Sequence, residues 1–210
     1  MRSTVSLAAR VHAASTTAAC ISKPNTGSEG VTMKWLLALC LILALPWLPA
    51  QASDLEQSIK AAFLYKFCDY VEWPADALPV EDSPIVIGIL SSNNDMAQRV
   101  RQAVEGHRIG SHPIQVSLVP AHRLPAPLHV LFVGPQDRMT DDLQRQLLGK
   151  PVLVVTDGLD EDDGPAGIIN FRLENNRVRF DISLTAARAS NLRISSRLLA
   201  LAYQIRGTAR

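Results

Sequence analysis

The chain is poor in the features that usually announce a catalyst. It has 3 cysteines in 210 residues, and two of them, Cys20 and Cys40, precede the cleavage signature described below. Cys68 alone then remains, which excludes an intramolecular disulfide. A lone thiol in an oxidising compartment is either buried or joins two subunits. The four later histidines, His107, His112, His122 and His129, form neither H-x-x-x-H nor H-E-x-x-H, so no zinc motif is present. No G-x-S-x-G frame surrounds Ser195-Ser196, and Ser195 reads as a helix N-cap. Gly88 lies inside an apolar run with no phosphate-binding glycine pattern after it. The run Asp160-Glu161-Asp162-Asp163 fails the calcium-loop pattern, because Leu159 occupies the first of the alternating positions before Gly164. Charge is balanced, at 21 Lys/Arg against 20 Asp/Glu, and no basic stripe exists to recruit nucleic acid. The reading is therefore no catalytic, cofactor-binding or metal-binding residue, and no enzyme.

What is present is an export address. Met33-Lys34 precedes the apolar run Trp35 to Leu45, and Ala50-Gln51-Ala52 follows. A positive start, an apolar core and an A-x-A site make a secretory signal peptide. Pro46 and Pro49 interrupt the stretch, and a retained anchor needs about 20 apolar residues. Cleavage is expected after Ala52. Residues 1–32 are Ala/Ser/Thr-rich and without periodicity, as an over-extended start ahead of Met33 would be. Residues 33–52 are then the signal peptide and residues 53–210 one domain, with 17 basic against 19 acidic residues. That length suits a single hydrophobic core.

Within this domain, Leu55, Ile59, Ala62, Phe63, Phe67 and Tyr70 recur at helical spacing, predicting a helix over 54–71 that Pro74 ends. Its apolar face is broadened by Leu64, Cys68 and Val71, wide enough to be covered on more than one side. Strands are predicted at 85–90, 114–119, 130–133 and 152–155, with helices over 95–105 and 139–148 between them. Alternating strands and helices argue for an α/β fold, a mostly parallel sheet with helices on both faces. Short and last helices are predicted over 185–190 and 195–205, the latter with Leu198, Leu201, Ala202 and Ile205 inward.

Asn175-Asn176 separates two alternating runs, a strong sign of a two-residue hairpin over 168–183. That loop sets Leu173 opposite Val178, Phe171 opposite Phe180 and Ile169 opposite Ile182 on the core side. On the other side Glu174 meets Arg177, Arg172 meets Arg179 and Asn170 meets Asp181. Like charges directly across a strand pair are destabilising, so Arg172, Arg177 and Arg179 call for an anionic neighbour. Either the chain's own acidic run or an acidic partner fits; a solvated basic face is the plain alternative. The aromatic helix offers a second candidate surface, Phe63, Leu64, Phe67, Tyr70 and Trp73, for a homodimer or a partner, unless the whole stripe is core.

The segment Ile59-Lys60-Ala61-Ala62-Phe63-Leu64-Tyr65-Lys66-Phe67, running to Tyr70-Val71-Glu72-Trp73-Pro74, resembles the opening of the YfiR family of periplasmic regulators. His129 to Val133, Pro151 to Asp157, Gly167 to Ile182 and Leu192 to Leu199 continue the resemblance in order. It implies a dimeric periplasmic repressor that binds the periplasmic part of an inner-membrane diguanylate cyclase and lowers cyclic-di-GMP and biofilm formation. It also implies relief of that repression by envelope stress or an outer-membrane lipoprotein. Some members carry paired cysteines, which this domain lacks. A small-ligand-binding module reporting to a membrane sensor is the alternative function.

Overall fold

The computed structural model describes residues 49–78, 80–158 and 167–207. The predicted signal-peptide core and the acidic run at 160–163 lie outside them. Helix α1 spans Pro49–Lys66, a 3-10 turn Phe67–Tyr70 continues it, and strand β1 is Val71–Glu72. Then follow β2 Ile85–Leu90, α2 Asn94–Ala103, β3 Arg108–Ile109, β4 His112–Val119, β5 Val130–Val133 and α3 Asp141–Leu147. The last part comprises β6 Leu153–Asp157, β7 Ile169–Glu174, β8 Arg177–Ser183, α4 Leu184–Ala189, β9 Arg193–Ile194, α5 Ser196–Leu199 and β10 Gln204–Arg206. Among the described residues no helix is long and apolar enough to cross a membrane.

Eight strands form one sheet in the order β10-β8-β7-β6-β5-β2-β4-β3. From β4 to β7 every neighbouring pair is parallel, as an alternating α/β chain requires. The sheet is covered on both faces. Ile85, Ile87, Ile89, Val130, Phe132, Leu153 and Val155 point to the side of α1 and α2. Leu90, Leu131, Val133, Val152 and Val154 point to the opposite side, with Leu143 of α3. Gly88 is needed for this packing: a Cβ there would stand 2.7 Å from Leu128 Cδ1.

The hairpin has the predicted register throughout, with Arg172 opposite Arg179 and Phe171 opposite Phe180. Asn175 and Asn176 take φ of 50° and 57°, the paired left-handed conformation of a tight hairpin turn. Ser195 is the N-cap of α5, its Oγ accepting from the Leu198 N–H at 3.3 Å.

Two helices differ from expectation. The first stops at Lys66 rather than reaching Val71, because Val71 is already extended and pairs with Ile194. The last runs only over Ser196–Leu199; the chain then turns, and Ile205 joins the sheet edge beside Ile182. Of the four residues expected to face inward, Leu198 is buried and Ala202 half-buried. Leu201 and Ile205 are 59% and 45% exposed. Helical spacing of apolar residues here coincided with a turn and a short strand too brief to display alternation.

Candidate interaction surface

The aromatic residues of α1 and its 3-10 turn are divided by their depth. Phe67 is the hub of a buried ring cluster, 5.1 Å from Phe180, 5.7 Å from Phe171 and 5.7 Å from Phe63 between centroids. With Leu64 it is at most 1% exposed. These two residues therefore belong to the chain's own core and cannot form a docking surface. Phe63, Tyr70 and Trp73 are half-buried at its margin. Trp73 stands edge-on to His129, at 6.3 Å.

On α1 the exposed large apolar residues among those described are Ile59 and Leu55, one and two turns before Phe63, where sequence reasoning did not place the surface. Leu55 is 63% exposed and Leu173, across from it on the hairpin, 50%. Between α1 and the hairpin runs a groove of about 540 Å³, lined by Leu55, Ile59, Phe63, Leu173 and Val178, with Glu56 and Arg177 among its polar walls.

Beneath this groove sits a charge cluster that the sequence reading also missed. Lys60 is 4% exposed, and its Nζ donates to both oxygens of Asp157, at 2.7 and 2.8 Å, while meeting Glu56 at 2.6 Å. Asp157 closes β6 at the carboxyl end of the sheet. Burial raises its pKa above the ordinary carboxylate range, and the hydrogen bond and charge of Lys60 oppose that shift. The cluster ties the first helix to the middle of the sheet. Its signal was a Glu and Lys four residues apart on an apolar helix, which reads equally well as a solvated pair.

The three arginines are not equivalent. Arg172 reaches Asp181 at 3.6 Å and lies over the Tyr203 ring at 5.3 Å. Arg206 meets the same Asp181 oxygen at 3.3 Å. The anion expected near Arg172 is thus within the hairpin itself. Arg177 and Arg179 are exposed and make no ion pair among the described residues. They line a concavity of about 230 Å³ with Glu174, Asn175 and Tyr203.

Two other polar sites are satisfied internally. His129 accepts the Val86 N–H on Nδ1 and faces the Ala77 carbonyl through Nε2, each at 3.0 Å, which requires the neutral ring protonated on Nε2. Burial depresses its pKa; the Ala77 bond opposes this, and the His112 charge adds to it. At the carboxyl ends of β2 and β5, where open α/β sheets commonly bind ligands, Asp137 accepts from Ser92 Oγ at 2.5 Å and from Asn93. A Cβ on Gly134 would collide with Asn93, so this crevice is closed by the chain's own side chains.

Cys68 is buried, its Sγ within 3.8 Å of the Leu64 carbonyl. Burial, with the charge of Asp69 adding to it, pushes the thiol pKa up to about 12. It is an inert core residue.

The family comparison completes this picture: the profile of the YfiR/HmsC-like family matches residues 57–203. The chain belongs to the YfiR/HmsC-like family. No curated protein matches it. The family span includes Lys60, Asp157 and the whole hairpin, and it ends at Tyr203, just before β10.

Proposed function

We propose that the chain is a non-enzymatic periplasmic regulator, exported with cleavage after Ala52, that binds the periplasmic region of an inner-membrane diguanylate cyclase and represses it. The observation that supports this most is the family membership, joined to two exposed concavities beside one hairpin. The groove face is the dimer surface. Its exposed apolar centre of Leu55, Ile59 and Leu173 can meet its own copy about a two-fold axis. The arginine face meets the cyclase. A binding repressor requires higher affinity for the inactive state of its target, and a competing outer-membrane lipoprotein relieves repression by occupying the same protein.

The test is affinity capture from detergent-solubilised inner membranes with the processed protein as bait. Recovery of a diguanylate cyclase, with cyclic-di-GMP rising on deletion of this gene, is the expected result. Capture of no membrane protein, together with unchanged cyclic-di-GMP, contradicts the proposal.

A further inference from the structure

Among the described residues, the hydrogen-bond parity of the hairpin leaves an open backbone edge between Arg177 and Arg179, which make no ion pair there. Ser183 donates its N–H to the Ile168 carbonyl at 2.8 Å, so its backbone groups point toward β7. In an antiparallel pair this direction alternates along the strand. Asp181, Arg179 and Arg177 therefore also point toward β7, while Ile182, Phe180 and Val178 point outward. The Phe180 carbonyl accepts from the Tyr203 N–H at 2.8 Å, which confirms the parity. Strand β10 covers β8 only over Asp181, Ile182 and Ser183. The outward N–H and C=O of Val178 are thus left beyond the start of β10, with no backbone partner among the described residues.

Arg177 and Arg179 flank that vacancy on one face, about 6.6 Å apart as alternate residues of a strand are. The concavity beside them, of about 230 Å³, is bounded on its far side by Tyr203 and contains one carboxylate, Glu174. We propose that this edge receives an extended acidic segment of a protein partner, which adds to β8 in line with β10. Its backbone pairs with Val178, and two acidic side chains at alternate positions stand opposite Arg177 and Arg179. Cross-strand pairs of opposite charge would then offset the unfavourable proximity of Arg179 to Arg172. A second copy of this chain is a poor occupant, because it would bring arginine against arginine. Strand addition of this kind takes its affinity from the main chain and its specificity from alternate side chains. The inference deepens the reading of the chain as an interaction protein, since it names the chemistry of the partner segment.

The test uses the processed protein and a fluorescent peptide of alternating Glu and Val, with Lys/Val and Gln/Val peptides as controls. Anisotropy should show saturable, salt-sensitive binding of the Glu peptide alone, and the Val178 amide should gain protection from hydrogen exchange. Arg179→Glu should weaken the Glu peptide about five- to tenfold and admit the Lys peptide. Equal binding of the three peptides, binding without protection of Val178, or no binding at millimolar peptide overturns the proposal. So does binding that appears only after Asp160, Glu161, Asp162 and Asp163 are neutralised, which would assign the edge to the chain's own acidic run. Capture of a cyclase from membranes together with failure here would retain the proposed function and remove this docking mode.

Discussion

The middle of the sheet and its hairpin end follow opposite rules. Strands β2, β5 and β6 are buried along their entire length, and their residues serve two cores at once. The hairpin alternates: Phe171, Phe180 and Ile182 face inward, while Arg179 is solvent-exposed. In the centre polar side chains are held by internal partners, as Asp157 is by Lys60 and His129 by Val86 and Ala77. At the hairpin Arg172 is held by Asp181 and Asn170 by Thr156, whereas Arg177 and Arg179 make no ion pair among the described residues. A surface that must be bound and released needs groups whose partners come from elsewhere. On the proposed reading, stability resides in the centre and recognition at the hairpin edge.

The strongest way to break the comparison is through the shared core. Phe67→Ala removes the ring that joins α1 to the hairpin, and should cost about 3–5 kcal/mol in urea denaturation. A loss under about 1 kcal/mol would mean that Phe67 faces a surface after all. Breaking the buried pair should cost a similar amount: Lys60→Met leaves Asp157 without its cation, at about 3–5 kcal/mol. The double replacement Lys60→Met with Asp157→Leu should recover much of that loss, because only the partly exposed Glu56 then lacks its cation. Similar stability of the single and double variants would show that the pair is not buried in solution.

The centre was legible in the sequence because fully buried strands are uninterrupted apolar runs, and the edges of Ile85–Leu90 and Val130–Val133 coincide with the expected ones. The hairpin was legible to the residue, since a two-residue Asn-Asn turn admits one register. Strands β1, β3, β9 and β10 were not, as two or three residues cannot show a period. The candidate site was half legible. Arg177 and Arg179 stand where alternation put them, whereas Leu64 and Phe67 proved to be core. A wide apolar helix stripe does not reveal which part another element of the same chain covers. Lys60 and Asp157 are 97 residues apart, and nothing local links them.

Smaller effects sharpen the comparison. Ile59→Asp places a charge in the groove but not in the core; light scattering should show dimer becoming monomer, with circular dichroism unchanged. A wild type that is monomeric at micromolar concentration refutes the dimer face. His129 should make the centre acid-sensitive. Its folded pKa lies below the ordinary value of 6.5, so the unfolded chain takes up the proton first. Stability is then full above that value and is lost as pH falls from it toward the depressed folded pKa. The urea midpoint should fall more between pH 7.5 and 5 for the wild type than for His129→Gln; equal slopes would deny His129 this role. Least visible of all, Cys68 should resist iodoacetamide in the native state and react fully in denaturant, as read by intact mass. Rapid native alkylation would contradict its burial.

The claim that recognition lies at the hairpin edge is tested most directly by cyclic-di-GMP in cells carrying Arg179→Glu, compared with Arg101→Glu, an exposed arginine on α2 away from the hairpin. With both variants folded and equally abundant, Arg179→Glu should raise cyclic-di-GMP toward the deletion level and Arg101→Glu should leave it at the wild-type level. Full repression by Arg179→Glu, or equal derepression by the two, would contradict the account.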